Sequence, residues 1–332
     1  MEANDAAKAK VLSSLKAAKG ILITLLSAIF ISFSAEFIAL VRKDGIPSFQ
    51  ILFLMQLIEL LATVPIYAVL RPRLRVKNRH ETIMLLLSVI VANAVVIVFN
   101  LSFTYTVPGI ALSIIQGAMP FFVAWMGFLF LGESLGLVDV CSILISVTGV
   151  VLVAIGVTQI AAISSKLLVL SIVIPLLAAF VFAPDMVIMR YLTATLGVPI
   201  VTSLLYQDLF GTVALLVITY AVETPVWTMT LRTALYVVGI GLSNCLGYFT
   251  LLIGLKWEKA YISTAVRMFV IPFSLLLDYL FLHKVPNSLQ VAGVVLVILG
   301  VVLVSVYTWW THRQEELQII LLEKLHFDPG EK

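Results

Sequence analysis

The sequence predicts an all-α membrane protein of ten transmembrane helices, arranged as two inverted repeats of five helices each. Three observations lead to this fold class: the composition, the number of long apolar runs, and a similarity between the two halves of the chain. Hydrophobic residues make up 61% of the 332 residues and charged residues only 12%, which is far from the composition of a water-soluble domain. We therefore expect an integral, multi-pass membrane protein.

Ten apolar runs are long enough to cross a bilayer, because each crossing needs about 20 helical residues. The connections between these runs are short, so the chain has no room for a separate soluble domain. The predicted spans are 20–41, 48–70, 82–105, 108–131, 137–157, 167–189, 198–221, 231–254, 259–282 and 287–310.

The two halves of the chain resemble each other at a spacing of about 150 residues. GIPSFQILFLMQL (45–57) aligns with GVPIVTSLLYQDL (197–209), and TGVVLV (148–153) aligns with LGVVLV (299–304). Five spans is an odd number, so the second repeat enters the membrane in the opposite sense, as in alternating-access transporters. The expected divisions are an N-terminal tail over 1–19, a first repeat over 20–157, a second repeat over 167–310 and a C-terminal tail over 311–332.

Lysine and arginine residues lie mostly on one predicted side of the membrane. The N-terminal tail and the segment from Arg71 to Arg79 carry many of the 21 basic residues. Retained cytoplasmic loops carry the excess of positive charge, so we expect both termini to be cytoplasmic. The same bias explains the net charge of +3 without a nucleic-acid partner.

Arg267 is the only basic residue predicted inside the membrane, within the apolar run 258–284. A guanidinium at the centre of a membrane helix costs about 2.5–3.5 kcal/mol on insertion scales, so it normally faces a charge, a watery cavity or a ligand. One interpretation is a salt bridge to Glu36, Glu59 or Asp208 that orders the bundle. The other is a binding site for an anionic substrate, since a planar guanidinium can hold a carboxylate or phosphate through two hydrogen bonds.

Three amide side chains also lie within predicted spans, and we expect them to bind substrate together with Arg267. They are Asn93, Gln116 and Asn244. Because lipid offers no hydrogen-bond partners, such groups should face the interior of the bundle. Repeat interfaces near the midplane are where transporters of this architecture bind their substrates.

Four intramembrane carboxylates are candidates for coupling or gating: Glu36, Glu59, Asp185 and Asp208. Glu36 and Asp185 share a local pattern, SAEFIALVR against APDMVIMR, which the inverted repeat would place at opposite mouths of one pathway. For Glu36 the alternatives are a protonatable coupling site and a helix-end glutamate whose side chain reaches outward to the interface.

Pro120 and Pro272 fall inside spans four and nine at equivalent repeat positions. Proline removes a helical hydrogen bond and can kink a helix. We expect paired structural bends that widen a central cavity, more than direct contact with substrate. Gly149 and Gly300, each followed by two valines, are typical of close helix packing.

The segment 99–157 resembles the EamA-type half of the drug/metabolite transporter superfamily. The resemblance rests on the mid-helix proline of the fourth span, the closing Leu-x-Glu of Leu131 and Glu133, and the Gly-Val-Val run of the fifth span. It extends over roughly 20–310, and within the superfamily the nearest likeness is to the G subfamily of solute carrier family 35. It implies a solute transporter, with a carboxylate such as citrate as a candidate substrate.

The sequence favours a secondary transporter of a small polar, anionic organic solute over other classes. The HExxH, P-loop and GxSxG motifs are missing, so we expect no enzyme, and we expect neither a cofactor nor a metal site. Two alternatives stay open: a nucleotide-sugar transporter of the same fold, and a nontransporting membrane scaffold or regulator. The expected partners are a small-molecule substrate and membrane lipid, with a coupling proton and a homodimer left open. The plasma membrane is favoured, and the endoplasmic reticulum and Golgi are the alternatives.

Overall fold

The computed structural model of the chain describes residues 2–105, 108–133, 135–160, 168–283 and 285–326. Most of the predicted connection between the repeats lies outside these ranges, as do residues 327–332 of the predicted C-terminal tail. The described residues contain ten helical stretches that are long and apolar enough to cross a membrane, which confirms the predicted number of spans.

Long apolar runs form continuous helices here because a helix satisfies all backbone hydrogen bonds within one segment. The ninth span consists of two helices, α9 and α10, and the tenth span is α11. Short π-helical turns follow α4 at Gly127–Leu131 and α6 at Tyr191–Thr195. The helices are α1 Glu2–Lys43, α2 Ser48–Leu70, α3 Arg79–Tyr105, α4 Pro108–Met126, α5 Leu137–Ile160, α6 Leu168–Arg190, α7 Ile200–Val222, α8 Leu231–Trp257, α9 Ala260–Arg267, α10 Val270–Leu282 and α11 Ser288–His326.

Several helices begin or end at residue types that are favoured at helix termini. Pro47 and Pro199 directly precede α2 and α7, where the missing proline N–H costs nothing. Thr230 caps α8, and its Oγ1 accepts a hydrogen bond of 3.2 Å from the Thr233 N–H. Gly132 ends the turn after α4 with a φ of +65°, a conformation that glycine adopts without strain.

The packing of the helices shows a pseudo-two-fold relation between the halves. Helix α1 packs against α8, and its counterpart α6 packs against α3. Helices α2 and α7 pack against each other, as do α5 and α11. Exchanging the first five spans for the second five therefore reproduces the same set of neighbours, in agreement with the two-repeat fold that the sequence predicts.

Contacts at two helix interfaces illustrate this relation in detail. Gln56 of α2 donates a hydrogen bond of 3.0 Å to Asp208 of α7, a residue 152 positions later, which equals the spacing of the aligned segments. At the α5–α11 interface, a Cβ on Gly149 would lie only 2.5 Å from the Gly293 carbonyl oxygen. A Cβ on Gly300 would likewise come within 2.7 Å of the Ser142 carbonyl oxygen. The expected close packing at Gly149 and Gly300 is confirmed.

Candidate functional site

A cavity of about 210 Å³ lies at the centre of the bundle, between helices of both repeats. Its walls come from α1, α2, α3 and α4 of the first half and from α6, α7, α8 and α9 of the second. The lining extends from Arg267 in the interior to Arg42 and Ser48, at the facing ends of α1 and α2. The cavity therefore reaches one end of the bundle.

Seven of the eight polar residues that the sequence predicts for binding, coupling or gating line this one cavity. The rule that a polar side chain in a membrane span faces the protein interior therefore predicted residues that meet at one cavity, and their roles stay a prediction. They are Arg267, Asn93, Gln116, Asn244, Asp185, Glu59 and Asp208.

Arg267 is the last residue of α9, and only 5% of it is exposed. The buried Nε and Nη1 atoms of its guanidinium have no hydrogen-bond partner within the described part of the chain. The guanidinium carbon lies 5.3 Å from the centre of the Phe182 ring, within range of a cation–π interaction. Arg267 thus presents free hydrogen-bond donors at the cavity.

Pro272 lies shortly after the break in the ninth span that follows Arg267. A proline at that position offers no N–H to the Met268 carbonyl, which instead accepts a hydrogen bond of 3.0 Å from the Ile271 N–H. The chain tightens into a short turn at Met268 and Phe269, between α9 and α10. Interrupted membrane helices of this kind line the binding sites of many transporters.

Pro120 has different surroundings, because α4 continues through it to Met126. Its missing N–H leaves the carbonyl of Gln116, one turn earlier, without the usual helical donor. Both prolines lie about one turn after a cavity-lining residue, Gln116 or Arg267. Paired bends that widen the cavity stay a prediction.

Glu59 and Asp208, two of the three carboxylates that one interpretation offered as partners of Arg267, accept hydrogen bonds from other side chains. Asn244 donates a hydrogen bond of 2.6 Å to Glu59 Oε1. Asp208 accepts from Gln56 at one oxygen and from the Thr63 hydroxyl at the other, both at 3.0 Å. Amide and hydroxyl donors therefore hold these two carboxylates between α2, α7 and α8.

Asp185 has a different environment from the other cavity carboxylates. It is 2% exposed, and its Oδ2 accepts a hydrogen bond of 2.9 Å from the Tyr248 hydroxyl. Its buried Oδ1 has no hydrogen-bond partner among the described residues. Asp185 can therefore accept a further hydrogen bond from a group inside the cavity.

The two amide side chains of the first repeat, Asn93 and Gln116, also differ in their hydrogen-bond partners. Asn93 donates hydrogen bonds to the carbonyl oxygens of Val89 at 2.8 Å and Gln207 at 3.4 Å. Gln116 is 3% exposed, and its buried Oε1 has no hydrogen-bond partner in the described chain. Gln116 is thus the amide with an acceptor to offer a ligand.

Glu36 is buried, with 6% of its surface exposed, but it is not among the residues that line the cavity. Its side chain lies inside the protein, so the alternative of a glutamate that reaches outward is wrong. Asp185 lines the cavity, and the placement of Glu36 and Asp185 at opposite mouths of one pathway stays a prediction. A coupling role for Glu36 stays a prediction.

Two aromatic residues of the cavity could not be predicted from the sequence. The Tyr248 hydroxyl donates a hydrogen bond to Asp185, and the Phe182 ring lies against the Arg267 guanidinium. Aromatic residues in apolar spans are ordinary packing residues, so neither carried a signal. Sequence reasoning also missed Thr63 as a partner of Asp208, because hydroxyl side chains usually bond to their own helix backbone.

The cavity lining does not extend to the bundle end opposite Arg42, which we call the closed end, and a second polar cluster with buried carboxylates lies there. Glu133 accepts hydrogen bonds from Arg190 Nε at 2.6 Å and from the Ala260 N–H at the start of α9 at 3.1 Å. Arg190 also donates to the Leu255 carbonyl oxygen. The glutamate of the Leu-x-Glu motif thus caps α9 and joins it to α6.

Glu258 and His312 lie beside this cluster, with 3.7 Å between the carboxylate oxygen and the ring nitrogen. Burial raises the pKa of the Glu258 carboxyl, while the charges of His312 and Arg190 oppose the increase. The tail of α11 is therefore connected to the α8–α9 junction at the closed end.

Comparison with protein families finds the EamA-like transporter family over residues 18–155 and again over 169–306. No curated protein matches the chain. Among solved structures, one crystal structure matches with a TM-score of 0.74 at 15% sequence identity, covering 87% of this chain and 98% of the other. At that identity the match supports the fold alone.

Proposed function

Since the chain belongs to the EamA-like transporter family, we propose that it moves a small polar solute with an anionic group across a membrane by alternating access. The observation that carries this proposal is Arg267, buried in the central cavity with two donor atoms that have no partner in the described chain. The anionic group of the solute is the partner that these donors lack.

The energetic argument is the cost of burying a guanidinium in a membrane span, about 2.5–3.5 kcal/mol on insertion scales. Within the described residues, hydrogen bonds of Arg267 Nε and Nη1 do not offset that cost. A carboxylate or phosphate group can accept from two guanidinium nitrogens at once, and such charge-assisted pairs are among the stronger hydrogen bonds. A solute with such a group stabilises the site that binds it.

The shape of the protein fits the same function. The cavity reaches the bundle end at Arg42 and Ser48, and the Glu133–Arg190 pair closes the other end. Inverted repeats allow the open and closed ends to exchange, because each half can take the conformation of the other. The orientation with both termini in the cytoplasm is part of this proposal, and it would place the open end on the outer side.

The size of the cavity favours a small solute. An engineered protein cavity of about 150 Å³ holds a benzene molecule, so 210 Å³ is suited to a solute only somewhat larger. A nucleotide sugar is several times the size of benzene and fits poorly. The likeness to the G subfamily of solute carrier family 35 supports a carboxylate, with citrate as a candidate.

The remaining parts of the proposal concern coupling and assembly. Glu36, Glu59, Asp185 and Asp208 are the carboxylates that would carry a coupling proton. A homodimer and residence in the plasma membrane belong to the same proposal.

Uptake by purified protein in proteoliposomes tests the function. Radiolabelled carboxylates, amino acids and nucleotide sugars should be compared, with protein-free liposomes as the control. We expect saturable uptake of a small solute that carries a carboxylate. Saturable uptake of nucleotide sugars alone would contradict the proposal, as would uptake restricted to cationic solutes.

A further inference from the structure

A strongly basic loop joins α2 to α3 at the closed end of the bundle. Its sequence over 71–80, RPRLRVKNRH, contains five arginine and lysine residues and neither aspartate nor glutamate. The His80 ring nitrogen lies 3.3 Å from the hydroxyl of Tyr191, which directly follows Arg190 of the Glu133–Arg190 pair. The loop does not line the central cavity, so its charges are separate from the solute site.

The nearest acidic residue in the sequence points into the loop. Glu81, in the first turn of α3, is 5% exposed. Its Oε1 accepts a hydrogen bond of 2.7 Å from Arg73, and its Oε2 accepts one of 2.5 Å from the Lys77 N–H. The carboxylate is therefore used inside the loop and leaves the outer surface basic. The basic side chains on that surface are exposed: Arg71, Arg75, Lys77 and Arg79.

The second repeat holds the backbone of this loop in place. The Thr202 hydroxyl donates a hydrogen bond of 2.8 Å to the Arg73 carbonyl oxygen, and Arg73 Nη2 donates one of 3.3 Å to the Gly197 carbonyl oxygen. A loop fixed in this way loses little conformational freedom when its side chains bind a ligand. The exposed basic residues are thus arranged in advance of binding.

An apolar face of α3 continues directly from the basic surface. Ile83, Leu86 and Ile90 are exposed, and their spacing places them on one face of the helix. Arg79 precedes Ile83 by four residues, so it lies on the same face, one turn nearer the end of the span. Exposed apolar side chains of a membrane span face acyl chains, and Arg79 therefore lies at the depth of the lipid headgroups.

This combination of basic and apolar surfaces matches an anionic phospholipid. Arginine binds phosphate through two parallel hydrogen bonds, and lysine binds it as a point charge. Each basic residue beside an anionic membrane surface strengthens binding about fivefold. A soluble phosphate ester would contact only the basic residues, whereas the acyl chains of a phospholipid also cover the apolar face below them.

The opposite end of the bundle lacks such a concentration of charge among the described residues. Its exposed basic residues include Lys43 and Arg232, but Asp44 beside Lys43 is exposed as well. The neighbouring connection between α7 and α8 exposes aromatic side chains instead, Tyr220 and Trp227. Charge complementarity to an anionic membrane surface is therefore a property of the closed end.

We propose that the basic surface formed by Arg71, Arg75, Lys77 and Arg79 binds the headgroups of anionic phospholipids and that the bound lipid stabilises the closed end. Bound phosphate relieves the repulsion between these like charges, which opposes the compact loop. Because the loop is bonded to the second repeat, a more stable loop holds the two repeats together at this end. In the proposed orientation the lipid belongs to the cytoplasmic leaflet, whose surface is negative. The inference is independent of the solute in the central cavity.

Lipid titration tests the inference on the purified full-length protein. Thermal unfolding should be measured in detergent micelles that contain phosphatidylcholine, while phosphatidylserine with the same acyl chains replaces an increasing fraction of it. We expect the melting temperature to rise with phosphatidylserine, and the rise to shrink at high salt. A melting temperature that is independent of the headgroup would overturn the inference.

Two double variants, each without one lysine and one arginine, locate the site. Lys77→Gln/Arg79→Gln should raise the fraction of phosphatidylserine needed for half of the stabilisation at least about tenfold. Lys43→Gln/Arg232→Gln removes the same charge from the opposite end and should leave that fraction unchanged. Equal responses of the two double variants would show that net charge alone acts, and would overturn the proposed site.

Two further measurements complete the test. If glycerophosphoserine, the headgroup without acyl chains, stabilises the protein as well as phosphatidylserine does, the site binds a soluble anion and the lipid assignment is wrong. Should Lys77→Gln/Arg79→Gln fail to fold, Arg75→Gln and Lys43→Gln form a second matched pair. We then expect a shift of about fivefold for Arg75→Gln alone, and equal responses would again overturn the site.

Discussion

The two ends of the helical bundle are held together by different kinds of contact. At the Arg42 end, carboxylates accept hydrogen bonds from uncharged donors of the other repeat: Glu223 from the Phe49 N–H at 2.9 Å, and Asp44 from the Thr233 hydroxyl at 2.6 Å. At the opposite end, the contact between the repeats is an ion pair of Glu133 and Arg190, at 2.6 Å. The first end leaves the cavity accessible, and the second seals it.

This difference indicates which contacts must break if the cavity is to open to the other side of the membrane. The seal depends on a few side chains around one carboxylate, whereas the walls of the bundle consist of long apolar interfaces. Loss of the Glu133–Arg190 pair would free α6 and the start of α9, which carry Asp185 and Arg267. The closed end is thus connected directly to the candidate binding residues.

Chemical labelling should show the largest difference between the two ends. Ser34 in the cavity and Thr193 beside the seal are each 2% exposed, so they form a matched pair for replacement by cysteine. After Cys141 and Cys245 are replaced, Ser34→Cys should react with a small membrane-impermeant thiol reagent from one side of the membrane only. Thr193→Cys should stay unreactive, as judged by mass spectrometry. Equal labelling of both positions would contradict the comparison.

Substitution at the seal should have the next largest effect. Arg190→Ala leaves the Glu133 carboxylate buried without its cation, and breaking a buried pair in this way costs about 3–5 kcal/mol. The melting temperature and the folded yield in detergent should fall accordingly. The additional substitution Glu133→Gln should restore part of the loss, since no charge is then left unpaired.

Arg73→Ala is the control for that prediction. Arg73 pairs with Glu81 at 2.7 Å, and 28% of its side chain is exposed, against 18% for Arg190, while the Glu81 and Glu133 side chains are similarly buried, at 6% and 8%. Because water reaches Arg73 more easily than Arg190, we expect a smaller loss of stability on its removal. An equal loss of stability in Arg73→Ala and Arg190→Ala would show that the seal has no special strength.

Substitution at the open end should have the smallest effect. Glu223→Ala removes the acceptor for the N–H groups of Phe49 and Gln50 at the start of α2. Loss of a helix cap typically costs about 0.5–2 kcal/mol. Glu223→Gln retains an acceptor and should lose less, as measured by thermal unfolding. A loss in Glu223→Ala larger than that in Arg190→Ala would reverse the order of the two ends.

Much of this architecture could be predicted from the sequence, because lipid permits few choices. Ten apolar runs of sufficient length required ten helices, and the similarity between 45–57 and 197–209 indicated the inverted halves. Arg267 was identifiable as a cavity residue because a guanidinium cannot remain in lipid at low cost. The family match over 18–155 and 169–306 agrees with these inferences.

The pairing of charges could not be predicted in the same way. Glu59 and Asp208 were reasonable partners for Arg267 by depth in the membrane, but Asn244, Gln56 and Thr63 hold them. The depth of a residue in the membrane gives only one coordinate of its side chain. The rotation of each helix about its axis determines which neighbours that side chain contacts. The same limit applies to Glu133 and Arg190, which are 57 positions apart and meet only through helix packing.

The measurement that tests the account most directly is solute uptake by Arg267 variants in proteoliposomes. Arg267→Lys retains the charge but loses the planar pair of donors, so solute affinity should fall by about 1–3 kcal/mol. Arg267→Ala should abolish uptake while the protein still elutes as a folded species from a detergent gel-filtration column. Wild-type uptake kinetics in well-folded Arg267→Ala would contradict the account.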